Sequence, residues 1–397
     1  APRKSTIWVS TSKSWREHRD CAKALIELVV STSDSRSEPL PVLATPAHRG
    51  LTLQELGQAY DAGFIPPEML DGSVDDDARR VVEELSRYEI DVSVVADALM
   101  FQFSGTPLGD KRLEMRVVPD LLNSARVTFS TSHNVSADGE LEDHAKTIGA
   151  VLRQHPAWLK IWFESGYVLA DRSLFQIRHR DVRFPGWSWA DFAGFDITKE
   201  KPSELMSENI GHDDSLFCWV TKQPQYQRGW LASNDGAMEI ADFIHLDAEA
   251  SPPKLSLIHV KGAKSDSAHR RVSVSAYEIV VGQAVKNLRH IDQELLADGF
   301  VQSLDRRLRK AVWSNGVFQG EAGREPMKQA IRDVSASLAR TVVIVQPHVR
   351  RTSYESALSA DRPTSKLPAQ QLDTLLLGAR GACQAGSAEF QVIGDSW

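Results

Sequence analysis

The chain is poor in cysteine: Cys21, Cys218 and Cys383 are its three among 397 residues, far apart and odd in number. No CxxC pair occurs, so neither a zinc site nor a disulfide framework is expected, and a reducing compartment suits the count. No apolar run approaches a membrane span, and the opening APRKSTIWVS has no long apolar stretch behind its charges. The expectations are therefore no membrane partner and a cytoplasmic location. P-loop, GxGxxG, GxSxG and HExxH patterns are all missing, which removes the usual signals of nucleotide binding, serine hydrolysis and zinc-protease chemistry. Positive charge is not in excess either, with 46 Lys and Arg against 53 Asp and Glu and a net charge of −7. That speaks against a cation-coated protein that binds nucleic acid anywhere on its surface, and leaves local basic patches open.

What is present suits a soluble protein of two domains or more, with 42% hydrophobic and 25% charged residues in 44.1 kDa. Residues 1–155 alternate strands and helices. Residues 6–10 read as a strand and 14–31 as a helix; a short helix follows at 51–60, and Asp75-Asp-Asp opens a further helix. Strand-like runs at 90–98, 113–118 and 126–131 precede a helix over 140–154, so this is an accessory α/β or α+β domain. Residues 156–201 form a β-rich aromatic connecting segment in which Trp187, Trp189, Phe192 and Phe195 fall close together. Those rings read first as a hydrophobic seam between domains. A second reading makes one ring a base-stacking platform beside Arg178, Arg180 and Arg183 as phosphate contacts. Lys199–Pro202 looks like the end of a linker.

Residues 202–397 carry the chemistry. Ser203 is placed to cap a helix running through Asn209, and Ser215–Thr221 reads as a buried strand. The stretch from Trp230 through Asn234-Asp235-Gly236 and Glu239-Ile-Ala-Asp242-Phe-Ile to Leu255–Lys261 reads as hairpin-connected strands. Asp242 interrupts an apolar run, and His259 and Lys261, two apart, point the same way on a strand. A carboxylate, an imidazole and an ammonium meeting at one strand end suggest a site. Tyr277–His290 follows as a helix with Val281, Val285 and Leu288 on its apolar stripe and Gln283, Lys286 and His290 elsewhere. Helix continues over 291–312 to the basic cluster Arg306, Arg307, Arg309, Lys310, either a solvated face or a strip facing nucleic acid. Thr341–Pro347 is a buried strand, a helix lies near 367–380, and Glu389–Ile393 is the last strand.

Taken in order, Glu239-Ile-Ala-Asp242-Phe-Ile, then Ile258-His259-Val260-Lys261, then Gly282-Gln283-Ala284-Val285-Lys286 resembles the PD-(D/E)xK nuclease superfamily, over about residues 203–347. It is similar in particular to nuclease regions associated with DEAD/DEAH-type helicases of bacterial defence systems. The resemblance implies a mixed α/β fold with a restriction-endonuclease-like αβββαβ core in the C-terminal half. It also implies a metal-dependent nuclease acting on DNA more than RNA, with a separate helicase or other defence protein as partner. By the same resemblance, Asp242 would be the metal ligand, Lys261 would orient or deprotonate the attacking water, and Gln283 would position water or backbone. Glu208, or Glu204, would add a carboxylate from the preceding helix.

The chain departs from the pattern at His259, where the family has Glu or Asp. Mg²⁺ prefers oxygen ligands and imidazole suits Mn²⁺ better, so the divalent ion would be Mg²⁺ or Mn²⁺ with a lean to Mn²⁺, or His259 would serve as a base. Two other readings stay open: a catalytically degenerate module that binds nucleic acid or a partner protein, and a phospholipase D-like enzyme on the spacing His259-x-Lys261 to Asp266. No second HxK copy accompanies the latter.

Overall fold

The computed structural model describes residues 44–65 (except 48), 76–133 (except 106 and 124–125), 139–177, 182–235, 240–291, 296–297, 307–334 and 338–397, with 19 and 23. The strand at 6–10, the helix at 14–31 apart from residues 19 and 23, and Glu239, Arg178, Arg180 and Arg306 lie outside the described residues. Mixed α/β architecture is plain, in three sheets.

The first sheet has the order β1 (Ala44–Pro46), β9 (Ser173–Ile177), β8 (Tyr167–Ala170), β7 (Leu159–Phe163), β2 (Ala59–Phe64), with neighbours antiparallel. The second is a meander of β3 (Tyr88–Val95), β4 (Ala98–Gly105), β5 (Leu113–Asp120) and β6 (Thr128–His133). Helices α1 (Leu53–Leu56), α2 (Asp76–Leu85) and α3 (Gly139–Gln154) accompany these sheets. The alternating burial of β5, with Leu113, Met115 and Val117 inward, is what one covered face requires, and Ala145, Ile148 and Leu152 of α3 share its core. Strands at 159–177 thus complete the sheet that contains β2, so the expected boundary at 155 falls inside one sheet. The aromatic segment divides there.

The third sheet has eight strands: β10 (Trp187–Ala190), β17 (Ala388–Asp395), β16 (Ala339–Arg350), β13 (Lys254–Val260), β12 (Phe243–Asp247), β11 (Trp230–Ser233), β14 (Val312–Ser314), β15 (Val317–Phe318). β11, β12 and β13 run antiparallel to one another, while β16 is parallel to β13 and β17 parallel to β16. A parallel neighbour needs a crossover. Helix α5 (Ser275–Asn287) lies on the connection from β13 to β16; α7 (Arg351–Ser359) and α8 (Pro363–Ala385) lie on that from β16 to β17. Helices α5, α7 and α8 cover one face, and α4 (Leu216–Lys222) covers part of the other; α6 (Arg324–Asp333) follows β15. Buried on both faces, β16 reads as the near-continuous apolar run Val342–Val345.

Two sequence expectations are corrected here. Ser203–Asn209 is not a helix: only the 3-10 turn Ser207–Asn209 forms. The run at 215–221 is a helix rather than a strand, capped by Ser215, whose hydroxyl accepts from the Cys218 amide at 3.3 Å. Leu216 through Val220 are all buried, so the helical period leaves no polar stripe to be read.

The first sheet is bolted to α5 by polar contacts. Gly63 of β2 passes so close that an added Cβ would stand 2.8 Å from that of Ser275. Beside it the buried Asp61 carboxylate accepts from the Ser275 amide at 2.8 Å and hydroxyl at 2.6 Å, and from the Ser273 hydroxyl. This supplies α5 with the N-terminal acceptor that Val274, at its own cap position, cannot provide. One turn on, Lys160 of β7 meets Glu278 at 2.8 Å in a buried pair.

Candidate active site at the end of β13

Asp242 stands just before β12, where the chain bends out of the ladder. Its Oδ2 accepts the Val260 amide at 2.7 Å, taking the place of the backbone carbonyl that a continuing strand would present. Lys261 follows the last residue of β13 and keeps its ladder bond to Val345 at 2.9 Å. The two residues thus stand at adjacent strand ends, and the Asp242 charge helps to raise the Lys261 pKa.

The partner of Lys261 is one the sequence did not flag. Its Nζ lies 3.0 Å from Glu200 Oε2. The other oxygen of Glu200 is 3.2 Å from Lys201 Nζ, which also contacts Asp235 Oδ1 at 2.7 Å. The supposed linker end, Lys-Glu-Lys-Pro, is thus a wall of the site. Three features hold it there. The first amides of α4, on Leu216 and Phe217, donate to the carbonyls of Lys199 and Glu200 at 2.9 and 3.1 Å. Ala263 N–H donates to Ile197 at 2.7 Å, and Gly262 allows a backbone approach in which a Cβ would meet the Thr198 carbonyl at 2.6 Å. On the far wall, Arg309 Nε donates to the carbonyls of Asn234 and Asp235 at 3.2 and 3.1 Å, and Arg324 donates to Ser233 at 3.2 Å. Burial pushes the Arg324 guanidinium down to about 10.

Opposite charges reinforce one another in this corner. Burial pushes the Glu200 carboxyl upward, but Lys261 and Lys201 outweigh it and hold its pKa below the usual carboxylate range. Glu200, against the cost of burial, raises the Lys261 pKa above that of an ordinary lysine, with help from Asp242. Burial also works against the charge on Lys201, and Glu200, Asp242 and Asp235 together overcome it. Lys261 retains 36% of its side-chain exposure, so this charged amine is reachable from solvent. It can donate to a phosphate oxygen or a water; as an ammonium with a raised pKa it is not a proton acceptor.

His259 is a correction. It is fully buried, and neither ring nitrogen has a hydrogen-bond partner among the described residues. Alternation along β13 explains why: Ile258 and Val260 pack on the α4 face, whereas Leu255, Leu257 and with them His259 turn to the α5 face. The strand ends before Lys261, which reaches Glu200 instead. Desolvation alone lowers the His259 pKa to about 4. It is a neutral core residue, and the expected trio of Asp242, His259 and Lys261 is replaced by Asp242, Glu200 and Lys261.

The remaining residues scatter. Gln283 is half-buried two turns into α5 and has no hydrogen bond to Asp242, Glu200 or Lys261 among the described residues. Glu208 is exposed on the 3-10 turn, where it accepts from Ser207 at 3.0 Å, and Glu204 accepts from Asn209; among the described residues neither is paired with Lys201 or Lys261. Arg309 is 2% exposed and nails down the Asp235 corner, so it is no surface contact for nucleic acid, and Lys310 pairs with Glu321 at 2.9 Å. Arg307 opens a 3-10 helix, while Arg183 and Lys286 are exposed. Trp187 and Trp189 stack on each other and lean on Tyr354, and Phe192 stacks on Trp219, so these rings serve packing. A groove of about 1040 Å³ opens at the other end of β13, by Lys254, Ser256, Thr341 and Gln391, away from Lys261.

Glu200, Asp235 and Asp242 offer the oxygen donors that a hard divalent ion prefers. As the side chains stand they do not fit one: among the described residues no three His, Cys, Asp or Glu side chains are gathered to hold a metal. Ammonium groups lie between the acids. Among the described residues, no helix is long and apolar enough to cross a membrane. No protein-family model matches the chain, and no curated protein or solved structure does either.

Proposed function

We propose that the C-terminal sheet is the phosphodiester-directed module of a nuclease-type protein, built on a restriction-endonuclease-like core and acting on nucleic acid, DNA in the first instance. The observation that carries this reading is the placement of Asp242 before the second strand, and Lys261 after the third, of the meander β11–β13, with α4 before it and α5 and the parallel strand β16 after it. The strands β14 and β15 and helix α6 stand between α5 and β16, so the αβββαβ order implied by the resemblance is matched only in part. Glu200 takes the part of the acid that position 259 lacks. In this reading Lys261 donates to a non-bridging phosphate oxygen and offsets charge that builds up in the transition state. Glu200 keeps Lys261 charged and aimed, and Asp242 fixes the strand end from which it projects.

A second reading, a module that binds nucleic acid without cutting it, is favoured by the saturated ion network and the sealed His259. One experiment separates the two. Labelled single- and double-stranded DNA and RNA are incubated with the full chain, with and without Mg²⁺ or Mn²⁺, and binding and cleavage are both scored. The nuclease reading expects cleavage that Asp242→Ala and Lys261→Ala abolish while binding persists. Binding without cleavage in the unaltered chain selects the second reading, and absence of both overturns the proposal.

A further inference from the structure

Parallel strands are ordinarily covered on both faces, and β13, β16, β17 and β10 are parallel neighbours. Helix α4 has seven residues, about 10 Å of length, and shares a core with Phe243, Ile258, Val343 and Ile393. Two residues further along each of those strands the same face turns polar, with His245, Ser256, Thr341 and Gln391. Register sets His245 opposite Ser256, Ser256 opposite Thr341, and Thr341 opposite Glu389, a row that crosses four strands. At the ordinary interstrand spacing the row is about 14 Å long. It floors the groove of about 1040 Å³, with Gln223 and Gln225, which follow α4, on its wall. That size suits a small ligand.

We propose that this groove is a ligand site for a neutral, hydroxyl-rich molecule, an oligosaccharide laid along the row from His245 to Glu389. The inference is independent of the phosphodiester reading at the other end of β13.

The charges of the lining nearly cancel. Lys254, Arg228 and Arg340 stand against Asp247 and Glu389; Arg228 lies 3.7 Å from Asp247, and Arg340 donates to the Ile291 carbonyl at 3.1 Å. Such a lining does little to neutralise the phosphates of a nucleic-acid strand. The two rings at the groove, Trp219 and Tyr226, are buried against Phe192 and His245 and are not open to stack on bases. The row itself offers hydroxyls, and Gln391 beside it an amide, groups that both donate and accept as sugar hydroxyls do. His245 adds a fixed requirement. Its Nε2 meets the Arg228 carbonyl at 2.8 Å and must carry the proton, which leaves Nδ1 as a bare acceptor. The residue is 4% exposed, and Nδ1 has no partner among the described residues. A sugar hydroxyl can donate to that nitrogen, whereas a carboxylate or a phosphodiester cannot.

The test is saturation-transfer NMR on the full chain with maltotriose, cellotriose and triacetylchitotriose in turn. Oligothymidylate and a capped tetra-alanine peptide serve as competing probes, and melting curves are recorded for each variant. The expected result is that at least one trisaccharide binds with a millimolar Kd or tighter. Thr341→Val, which exchanges a hydroxyl for a methyl group, and Ser256→Ala should each weaken it about three- to tenfold with the melting temperature little changed. His245→Phe should weaken it at least as much; if that variant does not fold, Thr341→Val and Ser256→Ala decide. Failure of all three trisaccharides to bind overturns the inference. So does sugar binding that Thr341→Val and Ser256→Ala leave unchanged, because the sugar then sits elsewhere. Binding of oligothymidylate or of the peptide that these variants weaken, and that no trisaccharide displaces, also overturns it and gives the groove to nucleic acid or to protein.

Discussion

Replacing His259 by leucine should stabilise the protein and flatten its response to acid. The imidazole is fully buried and neither nitrogen finds a partner among the described residues. A buried polar group left without a hydrogen bond costs about 1–3 kcal/mol, and an apolar side chain of similar size avoids that cost. The pH effect has a definite sign. The folded-state pKa, about 4, lies below the ordinary value of 6.5, so the unfolded chain takes up the proton first. Stability is therefore complete above pH 6.5 and falls as the pH drops towards 4, by about 3 kcal/mol in all. His348 adds a parallel loss over a longer window, because burial and the nearby Lys264 and Arg270 lower its pKa to about 3. Between pH 6.5 and 5 the two histidines together should remove about 3 kcal/mol, and His259→Leu should abolish about half of that loss. Urea unfolding at a series of pH values measures both effects. A variant that loses 2 kcal/mol or more at pH 7.5, with an unchanged acid limb, would show that the imidazole has partners and that the reasoning is wrong.

Asp61→Ala, which strips the acceptor from the α5 N-terminus, should cost about 2–4 kcal/mol in urea unfolding, while Asp61→Asn, which keeps one acceptor oxygen, should cost less. Lys160→Met alone should destabilise by about 3–5 kcal/mol because it strands the buried Glu278, and Lys160→Met/Glu278→Leu should recover most of that in a double-mutant cycle. Arg309→Ala should lose about 2–4 kcal/mol of stability and leave the salt dependence of DNA binding unchanged. A salt slope smaller by about one, with stability intact, would instead mean that Arg309 meets phosphate.

Much of the framework was legible because its signals are local. The burial of β16 shows as an unbroken β-branched run, and Ser275–Asn287 and Gly139–Gln154 show as periodic helices. Helix α4 was misread because a short helix buried all round loses the polar stripe that distinguishes it from a strand. Asp242 and Lys261 stood out in the sequence because they are polar residues where apolar ones belong. Glu200 did not, because Lys-Glu-Lys-Pro has the composition of a linker. Its place in the site depends on contacts with α4 and Ala263, 16 to 63 residues away. His259 misled for a related reason: two-residue spacing predicts a shared face only while the strand lasts, and β13 stops at Val260.

Which acid serves Lys261 is tested most directly by measuring initial rates of DNA cleavage, with affinities alongside, for Glu200→Gln and His259→Leu against the unaltered chain. If the proposed nuclease function holds, Glu200→Gln binds DNA at least as tightly, having lost a negative charge, yet cuts at least about 100-fold more slowly, while His259→Leu stays within about threefold on both measures. Loss of cleavage in His259→Leu, with Glu200→Gln unimpaired, would contradict the part given to Glu200.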